Sequence, residues 1–423
     1  MPDAWGNQLF DIWRQENHIS NAEINPLDKL SFIGKRGMGA LEYVPETSKL
    51  SSNEKIDIEA LANMAQHIID EREQVCIKPS ESITMQSLLT VGTSAGGRQP
   101  KAIVAIDAKS GEIRSGQIAG LKGYDYYILK FGNSHYSSAE IEMVYYEIAK
   151  AAGIDMMHSQ LFEVEGNVHF ITQRFDRCSY ANGEHKLHTQ TLAAMSPDTN
   201  SYEGLIEVCR KLHLPEADCV EVFRRMIFNI LTNNTDDHTK NFSFVMDPKG
   251  QWRLSPAYDI TFVIDTGGYL PNTGHCMYVR AKMHGVTLND ALHFAKENGI
   301  ARPNGIIRNV VLALKQFRTL ATKYNVQDKW IATIESAIYK HLSDWGFGNS
   351  DEMTTFNIDG RIFTNVRIEQ TYKGNFHLYA TEDGKERKYV IGKNKPEHRE
   401  IQNICITNLS REYVCEPIKH CLF

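Results

Sequence analysis

No C-x-x-C pair occurs among the eight cysteines, which lie scattered at positions 76, 178, 209, 219, 276, 405, 415 and 421. This spacing disfavours zinc ribbons, dithiol redox centres and disulfide-stapled modules; the thiols are expected to be reduced and mostly buried. Cys405, Cys415 and Cys421 with His420 match no zinc pattern. No window is long and apolar enough to span a bilayer, and Met1-Pro2-Asp3-Ala4-Trp5 has neither the basic region nor the apolar core of a signal peptide. A cytoplasmic protein without a membrane partner is expected. Positive charge is not in excess: the formal net charge is -6, so no global field draws the chain to nucleic acid, and direct nucleic-acid binding is not expected. There is no P-loop and no G-x-G-x-x-G. What remains is globular material, 42% hydrophobic and 23% charged, and 423 residues exceed one core, so two or three domains are expected.

The most informative stretch is Asn234-Thr235-Asp236-Asp237-His238-Thr239-Lys240-Asn241, followed by Asp259. An Asp, an Asn five positions on and a later Asp form the order used in phosphoryl transfer by protein kinases. There the first Asp takes the proton of the acceptor hydroxyl, the Asn holds magnesium, and the last Asp bridges magnesium to the phosphates. Asp236 is therefore the candidate base, and Asn241 and Asp259 are the candidate ligands of Mg2+, which prefers such oxygen donors. Phe242 to Met246 and Gln251 to Leu254 read as strands around the turn Asp247-Pro248-Lys249-Gly250, a hairpin that would return Asp259 to Asn241. The plainer reading is a polar turn that caps a helix and starts a hairpin.

Upstream, Tyr124 to Phe131 reads as a buried strand with Lys130 near its end. A lysine there needs a negative partner, such as the α- and β-phosphates of a nucleotide. A helix follows from Ser138, the expected N-cap, to the stop at Gly153, with Ile141, Val144, Tyr145 and Ile148 as its apolar stripe. Glu142, or its rival Glu140, would orient Lys130. Gly92 to Lys101 precedes the strand Ala102 to Ile106; its glycines would let amides approach phosphate and Lys101 would add charge, with a plain hairpin turn as the equal alternative. Strands at Gln160 to Glu165 and Asn167 to Gln173 lead to Arg174-Phe175-Asp176-Arg177. The backbone around Gln173 and Phe175 would bind adenine, and Arg174 and Arg177 equally suit structural ion pairs.

The series T-S-A-G-G-R-Q-P-K, I-L-K-F, I-T-Q-R-F-D-R, N-T-D-D-H-T-K-N-F-S-F and L-S-P-A-Y-D resembles the HipA family of serine/threonine kinases, the toxins of bacterial toxin-antitoxin pairs, from about Pro2 to Trp345. The resemblance implies an ATP- and Mg2+-dependent enzyme in which His238 and Lys240 support phosphate and loop geometry beside Asp236. It implies that Ser94, or its neighbour Thr93, is autophosphorylated as a switch. It further implies a protein substrate such as an aminoacyl-tRNA synthetase, and a DNA-binding antitoxin as partner.

The expected fold is α+β and bilobal. Residues 1–78 would be the end of an N-terminal subdomain, 79–176 a β-rich N-lobe, 177–349 an all-α C-lobe around the catalytic loop and hairpin, and 350–423 a β-rich accessory domain. The C-lobe helices would be Glu203 to Leu212, Ala217 to Asn233, Leu288 to Asn298, Asn304 to Tyr324 and Gln327 to Asp344. The tail would carry strands Phe363 to Gln370, Asn375 to Thr381 and Arg387 to Ile391. Relative to the family, the usual N-terminal β-rich subdomain is expected to be missing or separately encoded. The alternatives are a small-molecule phosphotransferase of the aminoglycoside or choline type, for which no carboxylate concentration near Asp236 is seen, and a catalytically idle partner-binding regulator.

Overall fold

The computed structural model describes residues 3–21, 24–48, 55–70, 82–92, 96–117, 121–180, 183–264 and 274–347, and of the tail 355–358, 361–370, 374–382 and 385–392. Thr93, Ser94, Cys76, Cys405, Cys415, His420 and Cys421 lie outside these residues.

Helices come first: α1 (Ala4–Glu16), α2 (Pro26–Ile33), α3 (Ile58–Asp70) and α4 (Ser82–Gly92). Strands β1 (Lys101–Asp107), β2 (Ile113–Ser115) and β3 (Tyr124–Lys130) precede α5 (Ser138–Ala151), β4 (Ser159–Val164) and β5 (Asn167–Gln173). The strands form an antiparallel sheet in the order β2-β1-β3-β5-β4. Ala102 to Ala105 are buried without alternation, as a short continuous apolar run allows when both faces of a strand are covered. On one face, Trp5, Leu9, Leu61, Leu88 and Leu89 of α1, α3 and α4 pack on Ala102, Val104, Leu129 and Ile171. On the other, Met143 and Tyr146 of α5 meet Phe170.

A β6 (Arg177–Tyr180) and β7 (Gly183–Lys186) hairpin follows, then β8 (His188–Thr191), the short α6 (Leu192–Met195), α7 (Tyr202–Lys211), α8 (Glu216–Thr232), β9 (Ser243–Met246) and β10 (Trp252–Leu254). These last two strands join β8 in the order β10-β9-β8. Next come α9 (Leu288–Glu297), α10 (Pro303–Leu314), α11 (Phe317–Lys323) and α12 (Asp328–Asp344). A second core joins Phe223, Ile227 and Phe228 of α8 to Phe294, Val310, Ile334 and Ile338, and Val144, Tyr145 and Ile148 of α5 enter it from the side. Each such side chain contributes about 1.5–3 kcal/mol on full burial. The tail is an antiparallel meander of β11 (Thr355–Ile358), β12 (Arg361–Gln370), β13 (Phe376–Glu382) and β14 (Lys385–Gly392).

The chain is thus mixed α and β, with several departures from expectation. The segment before Lys101 is preceded by helix α4, so it is not a hairpin turn. The helical region also includes the β6/β7 hairpin and β8, so it is not all-α apart from the β9/β10 hairpin. The helix expected over Asn304 to Tyr324 is divided, because Gln316 N–H donates to the Ala313 carbonyl three residues back and tightens the chain there. The cap of α5 is Ser137, at φ 49°, and not Ser138, whose hydroxyl instead accepts the Asn133 N–H at 2.8 Å.

Candidate active site

Helix α8 ends at Asn233 in the left-handed conformation (φ 56°), which turns the chain into the loop Asn234 to His238. Asn234 is tied back to the helix by its N–H on the Asn229 carbonyl (2.9 Å) and its amide on Asn229 Oδ1 (3.0 Å). Asp237, which spacing alone does not single out, is the buried anchor of the loop. Its Oδ2 accepts the Tyr202 hydroxyl at 2.7 Å and lies 3.1 Å from His275 Nδ1, and its Oδ1 accepts the Cys276 N–H at 2.8 Å. With Asp237 turned inward, Asp236 is half exposed in the cleft. Burial raises its carboxyl above the ordinary value, His238 at 3.8 Å draws it back, and Asp259 adds to the rise.

Asn241 donates its side-chain amide to the Asp236 carbonyl at 2.8 Å, which leaves the amide oxygen as the atom able to meet a cation. The hairpin that follows has the expected turn, with Asp247 Oδ1 accepting the Lys249 and Gln251 N–H groups at 2.8 and 2.9 Å and Gly250 at φ 81°. Beyond it, the Tyr258 hydroxyl donates to the Lys240 carbonyl at 2.7 Å, lies 2.5 Å from Ser243 Oγ, and its ring stacks on Phe175 with centroids 5.7 Å apart. Tyr258 therefore links the Asn234–Asn241 loop, the hairpin and the end of β5. Asp259 follows at φ 52°, a conformation that costs a non-glycine residue energy and is usually held by its surroundings.

Those surroundings are cationic. Lys130 Nζ lies 2.5 Å from Glu142 Oε1 and also bonds Asp259 Oδ1. Burial would lower the Lys130 ammonium, but Asp259 and Glu142 outweigh it and hold it well above its ordinary value. Burial likewise opposes ionisation of Asp259, and Lys130, then Lys101, overcome it and hold that carboxyl well below the usual range. Glu142, buried on α5, is pushed up by burial and drawn back by Lys130. Glu140 is half-buried and makes no ion pair with Lys130.

Lys101 sits directly across from Lys130 in the β1/β3 register and donates to the Gly96 carbonyl at 2.5 Å. Gly97 has φ 103°, a conformation that strains any residue bearing a side chain and favours glycine at the position. Lys240 is paired with Asp3 at 3.0 Å and not with another residue of its own loop. Arg174 and Arg177 take the structural role: both meet the fully buried Asp176, at 2.8 and 2.9 Å, and Asp176 also accepts the Gly39 N–H at 2.6 Å. Asp236, His238, Lys240, Asn241, Lys130, Glu142, Lys101, Gln173, Phe175 and Asp259 all line one cleft of about 1810 Å³. No trio of His, Cys, Asp or Glu placed to hold a metal occurs among the described residues, and no described helix is long and apolar enough to cross a membrane.

Among known proteins, the "Putative kinase Y4mE" of Sinorhizobium fredii is 24% identical over 342 residues, covering 76% of this chain and 78% of that one. The "Serine/threonine-protein kinase toxin HipA" of Shewanella oneidensis is 22% identical over 254 residues, 55% of each chain. The solved structure of the Shewanella oneidensis HipA, HipB and operator DNA complex contains a chain similar in fold, with a TM-score of 0.57, 18% identity, and coverage of 80% of this chain and 82% of that one. Residues 93–330, more than half of the chain and the part that carries Lys130, Glu142, Asp236, Asn241 and Asp259, match the family described as the HipA-like C-terminal domain, and the chain belongs to that family.

Proposed function

We propose that the chain is an ATP-dependent serine/threonine protein kinase with a bilobal arrangement, the nucleotide lying between the sheet half and the helical half. The observation that carries the reading is the Lys130 ammonium held at once by Glu142 of α5 and by Asp259 beyond the hairpin. The neighbouring elements β3 and α5 and a residue 129 positions beyond Lys130 converge there on one charge in the cleft that also contains Asp236. In this reading Lys130 and Lys101 meet the phosphates, and the backbone near Gln173 and Phe175 meets the adenine. Asp236 orients the acceptor hydroxyl and takes its proton, and the upward shift of its carboxyl makes it a stronger base than a free aspartate. His238 steadies Asp236.

The donor set fits a hard divalent cation, because Asn241 and Asp259 offer only oxygen and the remaining positions suit phosphate oxygens and water. Bound magnesium would neutralise charge on the phosphates. Electrostatics disfavour a polycationic small-molecule acceptor. Of the cleft carboxylates, Asp3, Glu142, Asp176 and Asp259 each already face a lysine or arginine, which leaves Glu140 as the further carboxylate besides Asp236.

We further propose a toxin role with a translation protein such as an aminoacyl-tRNA synthetase as substrate; a DNA-binding antitoxin as partner is supported by the Shewanella oneidensis HipA, a kinase toxin seen with HipB and operator DNA. Ser94 or Thr93 is the proposed self-modification site. Mass spectrometry of wild type and Asp236→Ala after incubation with magnesium and ATP tests the reading. A phosphate on wild type alone is expected. A wild type that phosphorylates neither itself nor any lysate protein would sink it.

A further inference from the structure

Asp3 stands at the N-cap of α1, yet its carboxylate makes no cap bond to that helix. Its oxygens instead lie 3.0 and 3.1 Å from Lys240 Nζ, and Oδ2 also accepts the Gly97 N–H at 3.2 Å. The next turn of α1 holds the same segment: Trp5 N–H donates to the Gly97 carbonyl at 3.1 Å, and its indole N–H donates to the Lys101 carbonyl at 3.1 Å. Gly92 lets α1 sit close, since a Cβ there would stand 2.7 Å from Leu9 Cδ1. One side chain thus joins the glycine-rich segment over the cleft to the residue preceding Asn241 below it.

We propose that Asp3 is a positioning residue, a clasp that ties the glycine-rich segment to the catalytic loop and sets the height of that segment above Asp236. The inference rests on the phosphoryl-transfer reading of the cleft. An isolated surface ion pair would do little. Asp3 differs because the same carboxylate also holds a backbone amide, and Trp5 and Leu9 of its helix are buried in the core beneath the sheet. Asp3 itself touches no reacting atom; its effect passes through the loops it holds.

Two variants separate the arms of the clasp. Asp3→Asn keeps an acceptor for the Gly97 N–H but loses the charge facing Lys240, and Asp3→Ala loses both. The expected result is a graded rise in KM for ATP, to about fivefold to tenfold in Asp3→Ala, as for the loss of one ordinary hydrogen bond. The kcat should change less, the melting temperature should hold, and amide exchange at Gly97 should quicken in Asp3→Ala more than in Asp3→Asn. An active wild type beside an Asp3→Ala protein with the same KM and the same Gly97 exchange would overturn the clasp and leave the kinase reading standing. A wild type that neither binds ATP nor transfers phosphate would overturn the kinase reading, and the positioning role with it.

Discussion

Asp237 and Glu142 show how much of a site depends on single side chains. Replacing Asp237 by alanine would strand the Tyr202 hydroxyl proton, His275 Nδ1 and the Met277 N–H, while the Cys276 N–H would keep only the Thr235 carbonyl at 3.2 Å. A loss of about 2–5 kcal/mol in stability is expected, as for buried donors left without acceptors, and urea unfolding would measure it. Glu142→Ala should weaken nucleotide binding, since Lys130 then turns wholly to Asp259; titration with a fluorescent ATP analogue checks this against the same measurement on Glu140→Ala, for which little change is expected. Asp176 ties folding to pH. Burial opposes its ionisation, but Arg174 and Arg177 outweigh it and hold the carboxyl well below its ordinary 3.8. A depressed folded pKa stabilises above the unfolded value, so this contribution should be complete above about pH 4 and fade as pH falls toward the folded value. Denaturation midpoints of wild type and Asp176→Asn should therefore converge in acid; curves that stay parallel down to pH 2 would contradict the assignment.

At the scale of elements, periodicity carries what is local. Strand β5 matches its expected span, Asn167 to Gln173, and the hairpin and α8 lie within a residue or two of theirs. Helix α4 is harder to read because it is covered by α1 and α3 on one side and β1 on the other, so Met85, Leu88, Leu89 and Val91 leave no clean polar face. Close approach between elements is equally silent in a sequence. Gly132 follows β3 two residues after Lys130, and a Cβ there would stand 1.9 Å from the Val168 carbonyl oxygen. Gly132→Ala should cost about 1–3 kcal/mol through overpacking. It should lower the melting temperature by several degrees and also disturb Lys130, which calorimetry with and without Mg-ATP would reveal.

For the whole molecule, the described tail strands form a sheet of their own, apart from the residues that line the cleft. A chain ending at Phe347 is expected to fold and to gain about 2.7 kcal/mol from Mg-ATP at a hundred times its Kd, the gain expected of the full chain under the kinase reading. If that gain disappears on truncation, the tail belongs to the nucleotide site. The gathering of Asp236, Asn241 and Asp259 in one cleft was legible from the sequence because they lie on one loop and one hairpin, where short covalent spacing limits how far the groups can separate. The choice of Glu142 over Glu140 had only the margin of the apolar stripe to rest on in the sequence, and it is Glu142 that pairs with Lys130. Two positions along a helix point to nearly opposite sides, and only the docking of α5 on the sheet selects between them. Asp3 reaching Lys240 and Asp176 reaching Gly39 were likewise decided by tertiary structure, because nothing in local propensity encodes which surface of α1 or of the Gly39 turn will lie against residues more than a hundred positions away.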